Sequence, residues 1–196
     1  MKLESYPSIS IVGATGAVGK ICLEILKEKN YPHEKIKLFA SKRSEGKKIK
    51  YFDQELLVHE ATKSSFHNSN VVFISADSSV SLDLAPSAVD SGALVIDDGS
   101  AFRMKEDVPL VVPEVNEEDI NYHKGIISIP NCTTTPLVMA IHNLKKLSPI
   151  KRIQSTTYQA VSGSGSLAVT ELQSQTEHRE HTENTQGTRT EQTQST

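Results

Sequence analysis

The chain has 196 residues, a formal net charge of −3 at pH 7 and 37% apolar residues, counting tyrosine, enough for one good core and part of a second. No run of 18 apolar residues and no apolar signal-peptide core occur, so we expect neither a membrane span nor secretion. The Lys and Arg residues are scattered, which argues against nucleic-acid binding, and two cysteines without metal-ligand spacing favour a reducing cytoplasm.

Strands and helices alternate along the first 130 residues. Short apolar runs rich in branched residues predict strands at 8–12, 36–40, 56–58, 70–76, 93–97 and 125–129. Helical spacing of apolar positions predicts helices around Val18 to Leu26, from Ser78 to Ser91, and in a short stretch capped by Asn116. Strands this uniformly apolar are buried on both faces, so the pattern predicts an α/β fold with a Rossmann-like, mostly parallel sheet.

The last third of the chain is predicted to begin a second unit. Residues 133–147 have helical periodicity, and residues 150–161 read as a long strand. From Gln173 the sequence is Gln, Thr, Glu and His without apolar period, so it cannot bury enough surface to offset the entropy of ordering. We therefore predict three parts: residues 1–131, the start of an incomplete α+β unit over 132–175, and a disordered polar tail over 176–196.

A glycine-rich turn joins the first strand to the first helix. Its glycines, Gly13, Gly16 and Gly19, have the spacing G-x-x-G-x-x-G. In a dinucleotide-binding turn the first glycine permits the tight turn, the second lets the backbone approach a pyrophosphate, and the third allows close packing of helix on sheet. The helix N-terminus then offers unpaired N–H groups to the phosphates. A glycine-rich turn without a ligand is the alternative.

The loop after the second strand favours one of the two nicotinamide dinucleotides. Proteins that bind NAD usually have an acidic residue near this point, which holds the ribose 2′-hydroxyl. Here the sequence is Ser41-Lys42-Arg43-Ser44, and two cations with two hydroxyls suit a 2′-phosphate. The loop therefore predicts NADP, with an ordinary exposed basic loop as the alternative.

Cys132 is the candidate nucleophile. It lies between a predicted buried strand and a predicted helix, and the polar, turn-forming residues on both sides of it argue against a core position. A helix N-terminus favours the thiolate form of a cysteine, which is the reactive form. Cys22 lies on the apolar face of the first helix, so we predict a structural role for it.

Six segments of the chain together carry a family resemblance. They are residues 13–19, 40–47, 97–103, 112–116, 130–134 and 158–163. In this order they resemble bacterial aspartate-semialdehyde dehydrogenases, over about residues 8–175. The resemblance implies NADPH-dependent reduction of L-aspartyl-4-phosphate to L-aspartate 4-semialdehyde and phosphate, a step in lysine, methionine and threonine biosynthesis. It also implies a cytoplasmic homodimer acting on a small-molecule substrate.

The resemblance assigns roles to individual residues. Cys132 would attack the acyl phosphate and form a thioacyl enzyme, and Gln159 would position the substrate beside it. Arg103 would bind the substrate phosphate, and Asn131 would assist at the same anion or orient the acyl group. The implied cofactor contacts are Gly13, Thr15, Gly16, Ala17, Val18, Gly19, Ser41, Arg43, Ser44, Ser75, Ser162 and Gly163. Residues 1–131 would then form an NADP-binding domain, and 132–175 the beginning of a catalytic and dimerisation domain.

The chain departs from the family after Gly165. The second half of the family's chains supplies an acid–base histidine, an arginine for the substrate carboxylate and a lysine for phosphate, and none has a counterpart here. We therefore expect impaired turnover, either from a frame shift near residue 176 or because the chain is a short, non-catalytic form. A non-catalytic NADP-binding fragment and an enzyme similar to N-acetyl-γ-glutamyl-phosphate reductase are the alternative functions. Asn131 to Thr134 and Gln159 favour the aspartyl enzyme over the latter.

Overall fold

A mostly parallel sheet organises the chain. The structure is a computed structural model that describes residues 6–165 and 167–177. Its strands are β1 (Ile9–Val12), β2 (Ile36–Ala40), β3 (Lys48–Tyr51), β4 (Gln54–Glu60), β5 (Val71–Ile74), β6 (Leu94–Asp97) and β7 (Ile126–Ser128). They lie in the order β3-β4-β2-β1-β5-β6-β7, and every neighbouring pair is parallel except the β3–β4 hairpin. The predicted α/β fold with a Rossmann-like sheet is confirmed.

Helices connect and cover the strands. They are α1 (Ala17–Glu28), α2 (Ser78–Asp90), α3 (Pro113–Asn116) and α4 (Thr134–Leu147), with short 3-10 helices at His33–Lys35, Lys42–Ser44, Glu117–Tyr122 and Val161–Ser164. A further helical segment extends over residues 167–177. No helix among the described residues is long and apolar enough to cross a bilayer.

Both faces of the sheet are buried, because successive side chains of a strand point to opposite faces. Ile11 and Leu38 belong to one apolar cluster, and the residues that follow them, Val12 and Phe39, belong to another. Helix α1 contributes Leu23 to the first cluster, whereas α2 packs in the second. Each fully buried aliphatic side chain stabilises the fold by about 1.5–3 kcal/mol. The sheet is therefore a rigid platform for the loops at its edges.

Strand register brings the functional loops to one edge of the sheet. Val12 at the end of β1 pairs with Phe39 and Ile74, Ile74 pairs with Asp97, and Asp97 pairs with Ser128. The parallel strands thus end together. The chain runs outward from β1 through β2 to β4 and then returns to the other side of β1 at β5, which creates a topological switch point where ligands bind in such sheets.

The predicted long strand over residues 150–161 is wrong. Residues 149–160 have no regular structure, and residues 151–160 are all exposed. A strand is stabilised by pairing with a neighbour, and this segment pairs with none within the described part of the chain. Residues that favour strands, such as Ile153 and Tyr158, did not form a strand here without such a neighbour.

The hairpin of β3 and β4 was missed in part. The weak apolar run at 56–58 is the centre of the longer strand β4, and β3 precedes it across the two-residue turn Phe52–Asp53. Phe52 adopts a positive φ of 51°, which hairpin turns require but which the sequence Phe-Asp does not announce. Tyr51, at 1% exposure, anchors the end of β3 in the core.

The end of the described chain also differs from expectation. Contacts divide the chain into two compact units after Ser155, later than the predicted domain boundary at residue 131. In the second unit, the helical segment 167–177 includes the first two residues of the predicted disordered tail, 176 and 177. The rest of the predicted tail, residues 178–196, lies outside the described residues.

Candidate active site

The glycine turn is closed against the neighbouring strand. Gly13 has a φ of +87°, and a Cβ atom at this position would lie 2.0 Å from the backbone oxygen of Ser75, which follows β5. A Cβ atom at Gly19 would lie 2.3 Å from the oxygen of Gly13. The backbone N–H of Gly13 donates to the oxygen of Phe39 at 2.9 Å. Only glycine fits at both positions, so backbone occupies the space that side chains would fill.

Helix α1 begins directly at this turn. Gly16 is its N-cap residue, without a side chain to cap the first turn, and its own N–H donates to the oxygen of Gly13 at 2.9 Å. Ala17 and Val18 open the helix and are exposed. The first N–H groups of a helix have no intrahelical acceptor, and the helix dipole adds positive potential there. This arrangement suits a phosphate anion.

The basic loop after β2 lies beside the glycine turn. Ser41 directly precedes the 3-10 helix Lys42–Ser44 and is exposed, as is Arg43. Ser44 differs from the expectation of an open phosphate contact, because it is only 5% exposed and its hydroxyl accepts a hydrogen bond from Thr15 at 3.4 Å. Ser44 and Thr15 thus join the two loops, and Ser41 and Arg43 are left facing solvent.

Arg103 lies where β6 and β7 end. Its Nε donates to the backbone oxygen of Ile129 at 2.9 Å, and its Nη2 donates to the backbone oxygen of Asp98 at 2.8 Å. These bonds fix the half-buried guanidinium on one side and leave the rest of its planar fork for a second partner. Such a fork matches the oxygens of a phosphate or carboxylate.

Asn131 and Cys132 form the loop between β7 and α4. The Asn131 side-chain oxygen accepts hydrogen bonds from the backbone N–H of Thr133 at 3.0 Å and from the Thr133 hydroxyl at 2.7 Å. The Cys132 sulfur lies 3.8 Å from the same oxygen and is exposed. Asn131 therefore shapes the turn that presents the thiol at the start of the helix, a role that the resemblance did not supply.

Gln159, Ser162 and Gly163 lie together in the second unit. Ser162 and Gly163 belong to the 3-10 helix Val161–Ser164. A Cβ atom at Gly163 would lie 2.6 Å from the Nε2 atom of Gln159. A larger residue at 163 would therefore displace the Gln159 amide.

Two acidic residues at the end of β6 were not assigned by sequence reasoning. Asp97 is fully buried and accepts a hydrogen bond from Ser81 at 2.6 Å. Burial raises the pKa of Asp97, although the Ser81 bond opposes the shift. Its Oδ2 atom and the hydroxyl of its register partner Ser128 are buried without a hydrogen bond within the described structure. The available signal was two carboxylates directly after a buried strand.

Replacing Asp97 with asparagine is expected to flatten part of the pH dependence of stability. A raised pKa in the folded state means that the stability contributed by this group is present below its unfolded pKa, about 3.9, and is lost as the pH rises through the folded pKa. Urea unfolding should show that the free energy of unfolding of Asp97→Asn rises relative to that of the wild type between acid and neutral pH. Glu24 is an exposed acid on α1. The free energy of unfolding of Glu24→Gln should therefore depend on pH as that of the wild type does. If the free energies of unfolding of Asp97→Asn and the wild type changed equally with pH, the raised pKa of Asp97 would be contradicted.

Taken together, the sheet order, the closed glycine turn and the exposed helix start define a dinucleotide-binding domain of the Rossmann type. A sequence profile of the family described as "Semialdehyde dehydrogenase, NAD binding domain" matches residues 8–123. The chain belongs to this semialdehyde dehydrogenase family, as the six segments indicated.

Relatives of known name agree with this assignment. The aspartate-semialdehyde dehydrogenase of Bacillus subtilis is 50% identical over 169 residues, which are 86% of this chain and 49% of the relative. The crystal structure of aspartate semialdehyde dehydrogenase II from Vibrio cholerae superimposes with a TM-score of 0.83 at 38% identity, covering 90% of this chain and 53% of that one. The chain thus spans about half the length of the relatives it matches.

A nicotinamide cofactor is indicated by the same comparisons. The family description names NAD binding. The aspartate semialdehyde dehydrogenase of Candida albicans, solved with NADP, has a TM-score of 0.62 at 30% identity and covers 73% of this chain and 48% of that one. Glycine at positions 13 and 19 lets the backbone of the turn pack closely against Ser75 and α1, and the start of α1 beside it is exposed, as a pyrophosphate-binding turn requires.

Proposed function

We propose that this chain carries the NADP site and the nucleophile of an aspartate-semialdehyde dehydrogenase, which reduces L-aspartyl-4-phosphate to L-aspartate 4-semialdehyde and phosphate. One observation carries the proposal: a glycine turn that backbone contact closes to any side chain lies at the same sheet edge as Arg103 and Cys132. The names of the relatives supply the substrate class, and they favour it over an N-acetyl-γ-glutamyl-phosphate substrate.

The residues of this edge divide the chemistry between them. The Cys132 thiolate attacks the acyl carbon, the bond from that carbon to the phosphate oxygen breaks, and phosphate leaves with the electron pair. Arg103 holds the phosphate through the free side of its guanidinium and stabilises the charge that develops on it. When bound, NADPH supplies the hydride that reduces the resulting thioacyl group. Release of the aldehyde then breaks the bond from carbon to sulfur and returns the Cys132 thiolate that began the cycle.

The cofactor would be held by backbone and side chains of three loops. The first N–H groups of α1, at Ala17 and Val18, bind the pyrophosphate, and Ser41 and Arg43 contact the adenosine 2′-phosphate. Lys42 is held in part by an ion pair with Glu60 at 3.3 Å, whereas Arg43 has no such pair among the described residues. Arg43 is therefore the cation on which the preference for NADP over NAD depends.

Arg43→Ala is expected to weaken NADPH binding about tenfold and to leave NADH binding within about twofold, because only NADPH carries the 2′-phosphate. Titration followed by nicotinamide fluorescence measures both dissociation constants. Lys50→Ala, an exposed cation on β3 away from this loop, controls for the loss of one positive charge. Equal losses for NADPH and NADH in Arg43→Ala would contradict the role of this loop in choosing the cofactor.

Phosphate-dependent reduction of NADP with aspartate semialdehyde tests the proposal directly. Turnover that depends on phosphate and vanishes in Cys132→Ala supports it. NADPH binding without such turnover would leave the second candidate, a non-catalytic NADP-binding domain.

The partners and location implied by the resemblance belong to the same proposal. A chain with two cysteines without metal-ligand spacing suits a reducing compartment such as the cytoplasm. Size-exclusion chromatography with light scattering would show whether the chain forms the homodimer that the family resemblance implies.

A further inference from the structure

Asp98 is the point where three segments of the site meet. Its backbone N–H donates to the oxygen of Ile74 in β5 at 2.9 Å, and its backbone oxygen accepts the Nη2 of Arg103 at 2.8 Å. Its carboxylate accepts the hydroxyl of Ser75 at 3.0 Å. Main chain and side chain of one half-buried residue thus join the loop after β5 to the anion-binding arginine.

The hydrogen bond between Asp98 and Ser75 connects Asp98 indirectly to the glycine turn at Gly13. Ser75 donates its N–H to the oxygen of Val12 at 3.0 Å, and its own oxygen lies where a Cβ atom of residue 13 would stand. The path of the backbone at Ser75 therefore sets how the Gly13 turn can close. The hydroxyl bond to Asp98 is the side-chain contact that fixes Ser75 from the other side.

The surroundings of Asp98 keep this bond strong. Burial raises the pKa of Asp98, whereas the Ser75 hydroxyl and the charge of Arg103 oppose that shift. A hydrogen bond to an ionised, partly desolvated acceptor is stronger than one between neutral groups. Arg103 thus supports the acceptor form of the carboxylate that holds Ser75.

We propose that Asp98 is a positioning residue, which holds Ser75 and through it the Gly13 turn in the geometry that receives NADPH. The inference rests on the proposed function, because it presumes that the turn binds this cofactor. Asp98 itself need not touch the cofactor. It acts through Ser75, and its loss is expected to cost cofactor affinity.

A double-mutant cycle on NADPH affinity tests this role. Ser75→Ala and Asp98→Ala should each raise the dissociation constant about fivefold, and the double variant should be no weaker than either single one, because all three lack the same bond. Ser75→Thr retains the hydroxyl donor, so its dissociation constant should remain within about twofold of the wild type. Asp98→Asn retains an oxygen acceptor without the charge, so its dissociation constant should lie between those of the wild type and Asp98→Ala. Urea unfolding of each variant identifies the conditions in which all are folded.

Ser78→Ala is the matched control. The Ser78 hydroxyl is bonded to that of Ser100 at 3.0 Å, so it links the start of α2 to the loop after β6 without reaching Asp98. Its loss should leave NADPH affinity within about twofold. The inference would be overturned by additive losses of affinity in the cycle or by unchanged affinity in the single variants. It would also be overturned if Ser75→Thr and Asp98→Asn failed to restore binding. A wild-type chain that binds no NADPH would contradict the proposed function instead, so the two failures are distinguishable.

Discussion

Alanine at position 13 is expected to weaken NADPH binding at least about 100-fold and to lower the free energy of unfolding by about 3 kcal/mol or more. The added Cβ would lie 2.0 Å from the backbone oxygen of Ser75, so either the turn or the end of β5 must move. The φ of +87° adds strain of about 1–2 kcal/mol for any residue with a Cβ atom. Fluorescence titration and urea unfolding measure the two effects.

Gly92 provides a matched control for the strain alone. It has nearly the same φ, +88°, but a Cβ atom there would meet nothing within 4 Å. Gly92→Ala should therefore show only the strain, about 1–2 kcal/mol, with unchanged NADPH affinity. Equal effects of Gly13→Ala and Gly92→Ala would show that the contact with Ser75 does not shape the cofactor turn.

Cys132→Ala is expected to reduce phosphate-dependent turnover by at least about 1,000-fold, because no other described residue of this edge can form the thioacyl group. NADPH affinity should stay within about twofold, since the thiol lies outside the glycine turn. Turnover is measured by the formation of NADPH from aspartate semialdehyde, phosphate and NADP.

Cys22 is the internal comparison for the thiol. Burial raises the pKa of the Cys22 thiol, so its reactive thiolate is scarce, whereas the Cys132 sulfur is exposed. Mass spectrometry after brief alkylation should find Cys132 labelled before Cys22, and Cys22→Ala should retain turnover. Undiminished turnover in Cys132→Ala would remove the proposed covalent step.

Local pattern was sufficient to predict most of the sheet. The strands β1, β2, β5, β6 and β7 are short apolar runs whose burial on both faces follows from their composition, and each is confirmed in position. The hairpin strand β3 escaped prediction because its alternating run is only four residues long, two of them lysines, and because its turn has no glycine or asparagine at the centre. The strand predicted over residues 150–161 was wrong for the opposite reason. Their composition suits a strand, but a strand also needs a neighbouring strand to pair with.

The residues of the candidate site also fall into those that local sequence could predict and those that it could not. The steric demand at Gly13 could be predicted, because a tight turn from strand to helix imposes it locally. The role of Asp98 could not be predicted. It depends on the hydroxyl of Ser75, 23 residues away in sequence, and on the hydrogen bond that Arg103 donates to the Asp98 backbone oxygen. Ser44 also needed the structure, because its burial beside Thr15 arises from two loops that the sheet brings together.

The closed glycine turn also has a kinetic consequence. The N–H groups of Gly13 and Ala14 donate to the oxygen of Phe39, and Gly13 packs against Ser75. The backbone of the turn is therefore already fixed, and little order has to be created when a dinucleotide arrives. In a preorganised site, ordering of the loops on binding costs little entropy. Association of NADPH should therefore follow a single exponential whose rate rises linearly with concentration, without the plateau that a slow loop rearrangement imposes.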